Sequence, residues 1–147
     1  MLGRLVNSVL SKSNYSYVWG DTIDIIRNAD LSLINLECVI VSNGTEWNKT
    51  FKVFNFRAHP EAVEVLKSAS IDYASLANNH TLDYNTEALI EMLDLLDTNR
   101  IAHSGAGRNL KDRQTTCPQR VLPSCCGVQR AGTVSIEPAQ ELELRAG

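Results

Sequence analysis

Two short polar clusters carry the residue types able to do chemistry: Asn35-Leu36-Glu37, and Asn78-Asn79-His80-Thr81-Leu82-Asp83-Tyr84. A carboxylate, an amide oxygen and an imidazole together offer hard oxygen and borderline nitrogen donors, which suit Mn, Mg, Fe or Zn. An ion held by them would polarise a phosphoryl or carbonyl oxygen and lower the pKa of a bound water. Imidazole also moves protons near neutral pH. Each residue has a plainer reading beside this one. A carboxylate in the position of Glu37 is commonly solvated or caps a helix. Paired asparagines form turns, because Asn tolerates left-handed backbone, and a single histidine is commonly a surface group. His59 precedes Pro60 and reads as a residue at a helix start. His103 stands beside Gly105-Ala106-Gly107, too short a glycine turn to define an anion site. Spacing alone leaves these readings open.

Both clusters follow segments that read as strands. Leu31 to Leu36 is a short apolar run, and Ile71 to Leu76 is another. Before the first, Asp21 is placed to cap a short helix running to about Asn28. The stretch 41–55 holds Gly, Asn and Thr and reads as a long loop or hairpin. His59-Pro60 opens a second helix, with Pro60 in the first turn, where its missing N–H has no partner to lose. Ala62, Val63, Val65, Leu66 and Ala69 give this helix one apolar side. A third helix spans about 86–99, capped by Thr86, with Leu89, Ile90, Leu93 and Leu96 toward a core. Ile101-Ala102 begins a further strand, closed at Gly105-Ala106-Gly107. Helices alternating with strands predict parallel βαβ units and an α/β fold. Ligands of such sheets bind at the carboxyl ends of strands, and both clusters fall there. Trp19, Trp47, Phe51, Phe54 and Phe56 are expected to pack, and Asp21 and Asp24 to cap.

Composition narrows the function classes. The 147 residues allow one domain or part of a larger one. With 44% hydrophobic and 21% charged residues, disorder throughout, a collagen-like repeat and a coiled coil are excluded. Lys+Arg 14 against Asp+Glu 17 leaves a formal charge of -3, so no nucleic-acid partner is expected. No apolar run approaches the roughly 20 residues of a membrane-spanning helix, and the start lacks the pattern of a signal peptide; the compartment stays undefined. Cys38, Cys117, Cys125 and Cys126 contain no C-x-x-C pair, which argues against a zinc knuckle. The N-x-S/T triplets at Asn14, Asn43, Asn48 and Asn79 are short enough to arise by chance. Beyond about Lys111 the patterning lapses, and no aromatic residue follows Tyr84. Residues 113–147 therefore read as an unrelated, poorly ordered tail behind a partial domain over 1–112.

Five blocks bring a resemblance. Met1-Leu2-Gly3-Arg4, Asp30 to Glu37, Phe56-Arg57-Ala58-His59-Pro60, Ser75 to Tyr84 and Gly105-Ala106-Gly107-Arg108-Asn109 occur in that order over about residues 1–112. Together they resemble the CapA family of poly-γ-glutamate capsule biosynthesis proteins, which is similar to the calcineurin-like metallophosphoesterases. The Leu-Ala-Asn-Asn-His-x-Leu-Asp-Tyr block is the specific one. The resemblance implies a partial calcineurin-like fold, an α/β/β/α sandwich with largely parallel strands, and a divalent metal ion (Mn, Fe, Zn or Mg) at the strand ends. It implies Glu37 as the bridging carboxylate and Asn79 as the asparagine ligand. His80 would pass a proton to the leaving oxygen and Asp83 would orient it. Arg4, Asn78 and Arg57 would contact substrate.

The function so implied is poly-γ-glutamate biosynthesis or export, with metal-dependent phosphoester hydrolysis on a small-molecule or polymer substrate beside membrane-associated capsule machinery. The alternatives are a non-catalytic binding or assembly protein, or an inactive fragment. Three departures bear on this. The family carries Gly-Asp before Met-Leu-Gly-Arg, and the sequence starting at Met1 implies a domain lacking that ligand and its strand. No histidine follows His103, and Asn85 stands where glycine is usual.

Overall fold

In the computed structural model, which describes residues 2–49, 51–109 and 112 and the backbone of 134–135, the chain opens with helix α1 (Leu5–Leu10). A 3-10 helix (Tyr15–Thr22) and α2 (Ile23–Arg27) follow, then strands β1 (Leu33–Asn35), β2 (Val39–Ile40) and β3 (Arg57–Ala58). A 3-10 turn (Pro60–Ala62) leads into α3 (Val63–Ser68), β4 (Tyr73–Ser75) and α4 (Asn85–Thr98). Last come β5 (Ala102–Ser104), β6 (Ala106–Gly107) and β7 (Val134–Ser135). The expected tail, 113–147, lies outside the described residues apart from the β7 backbone.

The central sheet has the order β1-β4-β5, all parallel. Its register places Asn35 beside Ser75 and Ser75 beside Ser104, so the three carboxyl ends finish level. What leaves those ends therefore gathers at one edge: Leu36-Glu37, the 76–84 turn and Gly105. At the opposite end a polar lock aligns β1 with β4. The Ser32 N–H and hydroxyl reach Asp72 Oδ2 at 2.8 and 2.9 Å, and the Asp72 N–H returns to Ser32 Oγ at 3.0 Å. Two further pairs, β2-β3 and β6-β7, are also parallel.

The core lies between the strands and two helices. α3 buries Val63, Val65 and Leu66, and α4 buries Ala88, Leu89, Met92, Leu93 and Leu96, the three-and-four spacing of one helix face. α4 packs on β2 and β5, and α3 on the preceding 3-10 helix, where the Trp19 indole N–H donates to the Val65 carbonyl at 2.8 Å.

Several local expectations change. Asp21 makes no side-chain cap although it follows a kink at Gly20 (φ 53, ψ -139), and neither α2 nor α4 has a side-chain cap. Thr86 is displaced from the cap because Asn85 already starts the helix, at φ 67, the left-handed region that Asn tolerates. The 41–55 stretch is a crossover rather than a hairpin: β2 and β3 run parallel, and a tight turn joins only antiparallel strands. Phe56 packs, but Phe51 is 94% exposed and Phe54 is half exposed.

Glycine is required at the end of β5. Gly105 sits at φ 95, and a Cβ there would lie 2.5 Å from the Ala77 nitrogen. Gly20 has φ 53 with open space around it. Gly105→Ala is thus expected to cost about 2 kcal/mol or more, and Gly20→Ala about 1 kcal/mol. Urea denaturation of the two variants checks this; equal losses would show that the β5 turn opens freely.

Candidate functional site

The 76–84 turn is built around Asp83. Its side chain is wholly buried, a costly position for a carboxylate without partners. Oδ2 accepts from the Phe56 N–H at 2.6 Å and lies 2.8 Å from His80 Nδ1; Oδ1 pairs with the Lys52 ammonium. The Asp83 carbonyl takes the Trp47 N–H at 2.9 Å. An ionised carboxylate only accepts, so Nδ1 of His80 carries a proton, and in the neutral tautomer that this selects, the lone pair lies at Nε2. Nε2 has no hydrogen bond among the described residues and is not buried. The imidazole also rests against Phe56, with ring centroids 4.6 Å apart and planes at 59°.

Asn78 ties this turn to β1. Its amide donates to Asn35 Oδ1 and to the Leu36 carbonyl, both at 3.0 Å, and its Oδ1 accepts the His80 N–H at 3.0 Å. Both amide hydrogens are used within the fold, so its part is positioning. Asn35 in turn donates to Glu37 Oε1 at 2.9 Å. A hydrogen-bonded line thus runs from Glu37 through Asn35 and Asn78 to the His80 backbone.

The remaining expected residues are scattered around this centre. Arg4 is exposed, with its guanidinium 4.9 Å from the Phe54 ring centroid and 5.8 Å from that of Phe56, on the same aromatic shelf as His80. Arg57 lies over the Tyr84 ring at 5.5 Å. Gly3 lets the first block reach the third: a Cβ there would lie 2.6 Å from the Arg57 carbonyl oxygen. The Asn79 side chain is exposed and makes no hydrogen bond among the described residues; its carbonyl oxygen accepts from Lys52. His59 is exposed at the start of the 3-10 turn, and His103 pairs with Asp97 on the far side of the sheet end.

Sequence reasoning missed Lys52 and Phe56 as members of this group. Lys52 lies 31 residues from Asp83 in an irregular crossover, where no periodicity marks it. A divalent ion requires several converging donors. Asp83 is fully engaged, Nδ1 of His80 is taken and the Asn79 amide stands in solvent. Among the described residues no group of three or more His, Cys, Asp or Glu is placed to hold a metal ion. The described residues by themselves do not fit the implied metal centre.

The chain thus forms a parallel α/β sheet with an Asn-Asn-His turn at its carboxyl edge. The sequence model of the bacterial capsule synthesis protein PGA_cap matches residues 1–125, and the chain belongs to that family, which has a metallophosphoesterase-like fold. It is 27% identical over 122 residues to the capsule biosynthesis protein CapA of Bacillus anthracis, covering 82% of this chain and 30% of that protein. A probable polyglutamine synthesis accessory protein of Mycobacterium tuberculosis is 31% identical over 99 residues, 66% of this chain and 26% of the relative. The PGA biosynthesis protein CapA of Bacillus subtilis is 25% identical over 112 residues, 76% of this chain and 29% of that protein. The chain thus spans under a third of the length of these relatives. Among the described residues no helix is long and apolar enough to cross a membrane.

Two outcomes follow from the burial at this site. Asp83→Ala strands the Lys52 ammonium and the Phe56 N–H, and is expected to cost about 3–5 kcal/mol in urea denaturation; a loss near zero would show that water replaces the carboxylate. Cys38, wholly buried, has its thiol pushed from 9.0 up to about 12 by burial, with the Asp83 charge adding and a Leu2 backbone hydrogen bond opposing. The unfolded thiol ionises first, so this contribution is complete below pH 9 and is lost as pH rises toward 12. Relative to Cys38→Ala, the wild type should lose several-fold in folding equilibrium across that window; parallel curves would show a solvated thiolate.

Proposed function

We propose that this chain carries the ligand-handling face of a protein of poly-γ-glutamate capsule biosynthesis or export, with His80 as its proton-transfer group. The observation that supports the reading most directly is the Asp83–His80 pair. A buried carboxylate fixes the tautomer and direction of an imidazole whose other nitrogen is open. Such a ring accepts a proton from, or returns one to, an atom placed at Nε2. Its role calls for a ligand with anionic or hydrogen-bonding oxygens, and γ-linked glutamate chains supply a carboxylate at every unit. Arg4 on the Phe54–Phe56 shelf and Arg57 over Tyr84 are the contacts proposed for these carboxylates, since a guanidinium pairs bidentately with a carboxylate.

The names of the relatives support the polymer, and the oriented imidazole supports a second chemistry, hydrolysis of a phosphoester in which Nε2 takes a proton from the attacking water and returns it to the leaving oxygen. The proposed setting is membrane-associated capsule machinery. The functional reading requires His80 and not merely the fold around it. His80→Ala removes the open nitrogen while leaving Asp83 paired with Lys52 and Phe56.

Calorimetric titration with a synthetic γ-linked glutamate oligomer is expected to show salt-sensitive binding, weakened about tenfold by His80→Ala and by Arg4→Ala. Turnover of a chromogenic phosphodiester, where present, is expected to fall about 100-fold or more in His80→Ala. Oligomer binding indifferent to both substitutions would refute the assignment of this face. Turnover indifferent to His80→Ala would refute its proton-transfer role.

A further inference from the structure

We propose that Lys52 is the resident cation of this face, standing between the Asp83 carboxylate and the Asn79 carbonyl oxygen so that anionic ligands bind there without a metal ion. The proposal rests on the same face as the functional reading above, but not on its proton transfer. Lys52 comes from the irregular crossover and reaches in over the sheet edge. Its ammonium donates to Asp83 Oδ1 and to the Asn79 carbonyl. The side chain is 19% exposed, against a fully buried carboxylate, so one end of the pair remains in contact with solvent.

The charges support this assignment. Asp83 has one negative charge and Lys52 balances it, and the second carboxylate oxygen is already shared by the Phe56 N–H and His80. A divalent ion brought to Asp83 or the Asn79 carbonyl would meet a fixed ammonium at contact distance and be repelled. Glu37, the other acidic candidate, is bonded to Asn35 and belongs to no group of three or more His, Cys, Asp or Glu among the described residues. An ammonium has three hydrogens, and the described contacts occupy two. The third hydrogen and the exposed Arg4 guanidinium are donors for oxygens of carboxylate or phosphate, beside the open Nε2 of His80. An ammonium on a flexible stem is a compact point charge suited to that task.

Mn²⁺ titration followed by electron paramagnetic resonance, run beside calorimetry in excess chelator, tests the proposal on the whole chain. The wild type is expected to leave the free Mn²⁺ signal unchanged. It is expected to bind the γ-linked glutamate oligomer, or inorganic phosphate, equally well with and without chelator; the tighter of the two identifies the ligand source. Lys52→Ala is expected to weaken anion binding about tenfold and to gain Mn²⁺ affinity about tenfold. Should that variant unfold, Lys52→Ala combined with Asp83→Asn removes both charges at once. That pair should keep the fold, lose anion affinity and gain no Mn²⁺ affinity, while Lys52→Arg should retain anion binding. Stoichiometric Mn²⁺ binding by the wild type, or anion binding abolished by chelator, would overturn the proposal. So would anion affinity unchanged by the removal of Lys52. Loss of anion binding in His80→Ala with these Mn²⁺ results intact leaves the resident cation standing, so the two readings fail separately.

Discussion

A carboxylate taken wholly out of water has to be surrounded by donors, and Asp83 draws its three donors from two separate parts of the chain. Lys52 and the Phe56 N–H arrive from the crossover between β2 and β3, and His80 from within the same turn. Removing a carboxylate from water costs several kcal/mol, so the folded arrangement holds only while all these partners are present. The consequence is positional. The crossover has little regular structure and exposes Phe51 and Val53, yet its Lys52–Phe56 portion is clamped over the sheet edge by this one side chain. The same clamp gives His80 its direction, because the ring nitrogen facing Asp83 cannot turn away without leaving a buried charge short of a donor.

The strands alone are too short to align such a site. Each strand of the central sheet has three residues, and a short parallel ladder tolerates small shifts. Polar cross-links at both ends supply what length does not. Ser32 and Asp72 hold the amino ends of β1 and β4, and Asn35 with Asn78 hold the carboxyl ends. The glycines add close approach: Gly105 brings the end of β5 against Ala77, and Gly3 brings the first loop against Arg57. Arg4, Phe56 and His80 therefore share one shelf although 76 positions separate the first from the last.

Much of this fold was legible because its signals are local. The spacing of Leu89, Leu93 and Leu96 marks α4 within a single segment, and the short apolar runs around Ile34 and Ala74 mark strands, although β1 lies exposed at Leu33 and Asn35 rather than buried. The three-residue interval between His80 and Asp83 likewise places both in one turn. Contacts that depend on chain crossings were not legible. Lys52 has no neighbour in sequence that hints at Asp83, and the parallel pairing of β2 with β3 depends on tertiary packing that a Gly- and Asn-rich stretch does not announce. The helix caps failed for a related reason. Asp21 and Thr86 are good capping types, but Asp21 follows a kink at Gly20 without turning its side chain to a cap, and a left-handed Asn85 already starts the helix before Thr86.

Lys52 also changes what chemistry the face is suited to. A divalent ion would combine charge with open coordination positions, and so polarise an oxygen and acidify a water at once. An ammonium provides charge and directed hydrogen bonds but no coordination position, so it orients an anionic group without activating a nucleophile. On the proposed reading, proton transfer would fall to the imidazole alone, and the ordering of that imidazole comes from the same carboxylate that holds the ammonium. On the same reading, binding and proton transfer would be coupled through the two oxygens of Asp83, since Oδ1 holds the Lys52 ammonium and Oδ2 orients the His80 ring. A substitution at any of these three residues acts on the other two through the shared carboxylate, so their contributions are expected to be non-additive.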